Sequence, residues 1–459
     1  MLITIEEALK LDRKSIIDLH REYGNTAFAS LLGMLNFDKL FVRAEGVKVW
    51  DSEGNEYLDF LGGYGSLNTG HNHPYVIETI KKVVGRPNFM QASLPALAGV
   101  LAHNLAEITP GDLKHCFFGN SGAEAVEGAL KAARIATQKP TIISTIGSFH
   151  GKTMGALSLT GRQKYQEPFK PLVPACDKIP FNDTKALETR LKQGDVAAFI
   201  VEPIQGEGGI IVPDKGYLKA VEEICHAYGA LFIADEIQTG LGRTGKMFAC
   251  EWDEAKPDIM CIAKSLSGGI IPTSVFITTE EVWNKAYGTK EKCLLHTTTF
   301  GGNTWAAAAG IAALEVIKND NLADKALELG DYLLDKLQIL KEKYGLIKEV
   351  RGRGLLIGLE FEQPKGMLDK LSGGAISRAS EEYLGSLVAG QLQNKYGVIT
   401  AYTLNNPNVV RLEPPLVVTK EEIDHVVDSL DKIFEANKSF LGMAVKSSSS
   451  ILAGVFGRK

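Results

Sequence analysis

The sequence predicts a doubly wound α/β protein: a large, mostly parallel sheet covered by helices, followed by a smaller α+β domain. Three observations predict it. Short apolar runs alternate with helix-like segments between about residues 115 and 280. These runs lack polar alternation, which suits strands buried on both faces. Glycine is abundant, at 47 of 459 residues against 17 prolines, a balance that fits tight strand-to-helix turns better than a proline-rich linker array. At about 150 residues per domain, the length allows two or three folding units.

The strands come first. Thr141 to Ser144, Ala198 to Val201, Leu231 to Ala234, Ile259 to Ile262 and Ser274 to Ile277 are each four residues long and rich in β-branched or aromatic side chains. The periodic segment Gly216 to Tyr228 reads as a helix between two of them, and strand-helix-strand alternation argues for parallel pairing. Beyond residue 320 the pattern changes. Leu322 to Tyr344 is a charged amphipathic helix, and Thr419 followed by Glu422 is a capping-box signature. In the helix it opens, Ile423, Val426, Val427, Leu430, Ile433 and Phe434 share one face. With strand-like Gly354 to Glu360 and Val409 to Leu412, this reads as the smaller domain. The expected division is a segment 1–69 packing with the small domain, a large domain 70–330 and a small domain 331–459. Arg351 to Gly354 reads as a turn joining domains, and the tail around Ser447 to Ser450 as mobile.

Composition excludes several classes. The net charge of −5 argues against a generally basic nucleic-acid binder. The six cysteines form no C-x-x-C pair, so reduced thiols are expected. Met1 to Arg21 carries charged residues throughout, and no apolar run approaches a membrane span. The expectation is a cytoplasmic protein. His71-Asn72-His73 lacks a third ligand cluster, so no metal site is expected. Gly147 to Thr153 resembles a P-loop but has three residues between its glycines where four are required.

Ligands collect at the carboxyl ends of strands in open parallel sheets. Glu202 follows one apolar run, Asp235 and Glu236 another, and Lys264 a third. A lysine and an acid at two strand ends are what pyridoxal phosphate chemistry needs, the amine for the aldehyde and the carboxylate for the ring nitrogen. The spacing alone also fits an ordinary ion pair. Gly119-Asn120-Ser121-Gly122-Ala123-Glu124 runs into a helical pattern, so its backbone N–H groups can hold a phosphate while Ser121 and Glu124 cap the helix.

Six stretches in order carry a family resemblance: Gly119 to Glu124; Ser148-Phe149-His150-Gly151-Lys152; Val201 to Gly209; Ala234 to Gly240; Ala263-Lys264-Ser265-Leu266; and Thr297 to Asn303. The chain resembles the class III aminotransferases, pyridoxal-phosphate enzymes of fold type I, from about residue 40 to 436. The resemblance implies pyridoxal 5'-phosphate as cofactor, an amine donor and a 2-oxo acid acceptor as substrates, and a homodimer or dimer of dimers. It also implies roles. Lys264 would hold the aldehyde and shuttle the proton; Asp235 would pair with the ring nitrogen and Gln238 with the ring hydroxyl. Phe149 would stack on the ring, with His150 and Glu202 beside it. Ser121, Gly122 and Ala123 would cradle the phosphate, and Thr299 would reach the phosphate of the neighbouring subunit.

The resemblance also bears on substrate. Arg411, in Arg411-Leu412-Glu413-Pro414-Pro415, would grip a substrate carboxylate, with Glu207 as its partner when none is bound. Ornithine and acetylornithine aminotransferases have an arginine where this chain has Lys152, and a point charge replaces a planar fork poorly. Leu61 to Gly65, with Tyr64 against the donor, and Tyr402 to Asn406 most resemble putrescine aminotransferases. The expected reaction transfers a terminal amino group from putrescine or cadaverine to 2-oxoglutarate. Ornithine, acetylornithine or 4-aminobutyrate transamination, a racemase or aminomutase reaction, and a cofactor-free binding role are the alternatives.

Overall fold

A computed structural model describes residues 2–90, 93–362 and 375–437. The tail around Ser447 to Ser450 lies outside them. Strands β1 (Phe41–Glu45), β2 (Lys48–Asp51) and β3 (Glu56–Asp59) form an antiparallel ladder. The central sheet follows: β4 (Leu113–Gly119), β5 (Thr141–Thr145), β6 (Cys176–Ile179), β7 (Val196–Val201), β8 (Leu231–Asp235), β9 (Ile259–Ile262) and β10 (Ser274–Thr279). Their spatial order is β4-β10-β9-β8-β7-β5-β6. Next come β11 (Ile347–Arg353), β12 (Leu356–Phe361), β13 (Val398–Ile399), β14 (Ala401–Tyr402) and β15 (Val409–Leu412). An antiparallel sheet β11-β12-β15-β14 forms the C-terminal part, while β13 pairs in parallel with β3 and so ties it to the N-terminal segment.

All five expected strands of the central sheet form. Every residue of β5, β7 and β9 is buried, because their apolar runs face helices on both sides. Each fully buried Ile or Phe contributes about 1.5–3 kcal/mol. Helices Gly122–Thr137, Thr184–Leu191 and Tyr217–Ala227 make the crossovers. The first packs so closely that a Cβ at Gly128 would stand 2.3 Å from Cε1 of Phe276.

One strand departs from the parallel pattern. β10 runs antiparallel to both neighbours. The link from β9 holds only a short 3-10 turn, Lys264–Ser267, and a parallel return requires a crossover of a dozen or more residues.

The amphipathic helix expected from Leu322 to Tyr344 forms over Leu322–Lys343, with position 330 inside it. One further reading changes. Arg351 to Arg353 do not form a turn. They end β11, because they pair with Leu356 to Gly358 across a hairpin centred on Gly354, which takes a positive φ. The Thr419 capping box forms as expected, and its helix Lys420–Ala436 buries the predicted face. No helix among the described residues is long and apolar enough to cross a membrane.

Candidate active site

The carboxyl ends of β7, β8 and β9 open into one cavity of about 970 Å³. Pleating sends the two acids at the end of β8 opposite ways. Asp235 lines the cavity, its Oδ2 2.7 Å from Nδ1 of His150. Glu236 turns away, held by the Thr239 hydroxyl and by the Cys250 N–H at 2.7 Å. Lys264 reaches the same cavity from the residue after Ala263, with φ at 47°, a left-handed conformation rare for a lysine. Its amine makes no hydrogen bond or ion pair among the described residues. Burial pulls its ammonium below the usual lysine range, against the pull of Glu413 and Glu207.

Glu202, just past β7, is buried beside this pair. It accepts the Phe149 N–H at 2.9 Å and the Gly206 N–H at 3.1 Å. Burial pushes its acid up to about 7, with the charge of Asp235 adding to the shift and His150 opposing it. At the opposite wall Ser121 caps the helix Gly122–Thr137, its Oγ accepting the Glu124 N–H at 3.3 Å. Ala125 N–H bonds the Ser121 carbonyl. The N–H groups of Gly122 and Ala123 have no partner among the described residues and stand at the positive end of the helix dipole. Phe149 lines the space between them and His150.

Arg411 lies on β15 and is fully buried. Its Nη2 is 2.5 Å from Glu207 Oε1 and its Nη1 3.3 Å from Glu413 Oε2. Tyr64, at positive φ in the glycine-rich turn Gly62–Gly65, places its ring centroid 5.1 Å from the guanidinium carbon. Burial pushes the Glu207 acid up, but Arg411 and the Leu404 N–H outweigh it and hold the group below the ordinary range. Gln238 lines the cavity with its Nε2 3.1 Å from both oxygens of Glu413.

The structure brings together Tyr64, Ser121, Gly122, Ala123, Phe149, His150, Glu202, Glu207, Asp235, Gln238 and Lys264 on one cavity, with Arg411 directly behind Glu207. Lys152 lies off this wall, and Thr299 is the residue that the resemblance assigns to the neighbouring subunit's site. Lys152 is exposed and rests over the Tyr165 ring at 4.8 Å, so it is not on the cavity wall. Thr299 is exposed on a loop that does not line the cavity of its own chain. In the stretch His71-Asn72-His73, His71 Nε2 meets Asp59 Oδ2 at 2.8 Å.

Sequence reasoning passed over Glu413 and Arg243. Glu413 stands two residues after Arg411, the spacing that puts both on one side of an extended chain, and that was its signal. Arg243 had none. It is fully buried and bonds the Leu355 carbonyl, the Pro414 carbonyl and Asn68 Oδ1, three segments far apart in the chain.

The family model for class III aminotransferases matches residues 33–434. The chain belongs to the class III aminotransferases. Its fold agrees with ornithine aminotransferase from Toxoplasma gondii, at 34% identity and a TM-score of 0.82 over 94% of this chain and 97% of that one. Acetylornithine aminotransferase from Elizabethkingia anophelis is similar at 31% identity and a TM-score of 0.73, over 92% and 99% of the two chains. Among curated relatives, the aminotransferase PigE of Serratia sp. (strain ATCC 39006) is 36% identical over 94% of this chain. The chain spans about half that relative's length, 54%.

Enzymes of this family depend on pyridoxal 5'-phosphate, and the cavity's donor set fits that group. Free N–H groups at a helix start suit a phosphate, a carboxylate oriented by His150 suits a protonated ring nitrogen, and an unpartnered, charge-disfavoured amine suits an aldehyde.

Proposed function

We propose that this class III aminotransferase moves a terminal amino group from a short diamine, putrescine or cadaverine, to 2-oxoglutarate. Transfer of an amino group is supported by the unpartnered Lys264 amine beside Asp235 on adjacent strand ends, with the Arg411–Glu207 pair at the same cavity, and the observation that carries the diamine donor is Lys152 standing off the cavity wall. Pyridoxal phosphate, when bound, supplies an aldehyde to take up the amino group and an electron-withdrawing ring that weakens the adjacent C–H bond. Gly122 and Ala123 N–H groups, with Ser121, would hold its phosphate. Phe149 would lie against the ring, and Gln238 would meet its hydroxyl. Asp235, fixed by His150, would keep a positive charge on the ring nitrogen. Lys264 Nζ would take the proton from the donor carbon as a base and, as an acid, give it to the carbon of the former aldehyde.

Arg411 sorts the two substrates. With an amine bound, Glu207 neutralises it; a 2-oxo acid carboxylate takes the place of Glu207 in the second half of the cycle. A bidentate charged pair gives that exchange its selectivity. Thr299 reaches the phosphate of a second copy in a homodimer or a dimer of dimers, consistent with its exposed position.

A second reading, an ornithine or acetylornithine donor, is supported by the likeness to the Toxoplasma gondii and Elizabethkingia anophelis enzymes. Against it stands Lys152, which turns to Tyr165 and leaves no cation from that position on the cavity wall. The test is a donor panel of putrescine, cadaverine, ornithine, acetylornithine and 4-aminobutyrate, with 2-oxoglutarate or pyruvate as acceptor. Glutamate formation led by the diamines is the expected result. Leadership by ornithine replaces the reading with the second one. Lys264→Ala lowers turnover by at least about 10³-fold; full activity in that variant ends the proposal.

A further inference from the structure

Glu413 is a buried acid for which the mechanism above has no use. It is fully enclosed, immediately after β15, with its N–H on the Phe60 carbonyl at 2.8 Å. Gly62 and Gly65, both at positive φ, close around it: a Cβ at Gly65 would stand 2.6 Å from Glu413 Oε1, and one at Gly62 2.4 Å from its carbonyl oxygen. It does not line the cavity, yet it contacts two groups that serve it. Its carboxylate accepts from Arg411 Nη1 at 3.3 Å and from Gln238 Nε2 at 3.1 Å. Gln238 Nε2 also lies 3.3 Å from the Tyr64 carbonyl, so both amide hydrogens point away from Gly206 and the amide oxygen lies against it.

Two consequences follow from charge and donor count. Arg411 is shared between two carboxylates, one on the cavity wall and one sealed, so its hold on Glu207 is weaker than in a simple pair. When Glu207 leaves, Glu413 remains, and the guanidinium is never a bare buried cation, a state that is strongly disfavoured. A carboxylate is also acceptor-only, so it fixes which end of the Gln238 amide faces it. We propose that Glu413 is a positioning residue, the fixed counterion that eases exchange of Glu207 for a substrate carboxylate on Arg411 and the acceptor that sets the Gln238 amide. The first half rests on Arg411 being the carboxylate receptor; the second does not.

The test uses the holoenzyme, with each half-reaction followed in single turnover. Glu413→Gln leaves Glu207 as the lone anion on Arg411. The expected result is a fall in kcat/KM for 2-oxoglutarate about tenfold larger than any fall in the amine half-reaction. In a Glu207→Ala background the same change has no selective effect, because there is no gate left to open. An amide at 413 keeps one oxygen for Arg411 and replaces the other, 3.1 Å from Gln238 Nε2, with a second N–H donor, so Gln238 turns over and the pH titration of the visible cofactor band moves. Equal loss in both half-reactions, in step with a lower melting temperature and an unmoved titration, overturns the proposal. If Arg411→Lys leaves the 2-oxoglutarate half-reaction intact, the receptor reading fails, and the titration arm alone then decides the role at Gln238.

Discussion

At the scale of single residues, burial changes what two side chains do with protons. An ordinary glutamate titrates near 4.5, whereas burial pushes Glu202 up to about 7. Between those values the folded chain keeps a proton that the unfolded chain has released. Its contribution to stability is therefore complete below pH 4.5 and lost as the pH rises past about 7. In cofactor-free protein, melting temperature should decline across that window, and Glu202→Gln should flatten the decline; matching slopes in the two proteins would remove Glu202 as the cause. Lys264 moves the opposite way for the same reason, since its charged form is the one that burial disfavours. Arg411 escapes this, because Glu207 and Glu413 outweigh its desolvation and hold its proton more firmly.

At the scale of elements, the strand-end turns do the positioning, and glycine is required where they pass each other. A Cβ at Gly206 would stand 1.7 Å from Oε1 of Gln238, which no rotamer adjustment of a methyl group relieves. Gly206→Ala should therefore displace Gln238, lowering cofactor affinity by about tenfold or more in a fluorescence titration while secondary structure by circular dichroism is unchanged. Native affinity would show that the turn relaxes elsewhere. These turns also show what was legible in the chain. Apolar runs without alternation revealed β5, β7, β8, β9 and β10, and the residue after each run revealed Glu202, Asp235 and Lys264. Strands β4 and β6 carry polar residues such as His115, Asp177 and Lys178 and gave no such run. The reversal of β10 depends on connection length rather than on composition. Glu413 stands two residues from Arg411, a legible spacing, but its bond to Gln238 and that of Arg243 to Leu355 span more than a hundred residues, pairings that a single sequence does not print.

At the scale of the whole molecule, Arg243 joins parts that the chain keeps apart. Its guanidinium meets Asn68 at 2.6 Å, Leu355 at 3.0 Å and Pro414 at 2.5 Å. Arg243→Met should strand those acceptors and destabilise the fold by about 3 kcal/mol, seen as a lower melting temperature; an unchanged melting curve would show the clamp to be dispensable. Assembly is tested by mixing. If Thr299 completes the neighbour's site, inactive Thr299→Ala and Lys264→Ala chains refolded together should regain up to about a quarter of wild-type activity, since half the dimers then hold one complete site. No recovery would place Thr299 outside the partner's site. One wall of the cavity belongs to none of the three sheets. Phe28, Leu31, Leu32 and Leu35 line it from the short helix Thr26–Met34 and the residue after it, at spacings that share one face. If the donor's chain lies against this face, substitutions along it should change which amines fit while leaving Lys264 and Asp235 in place.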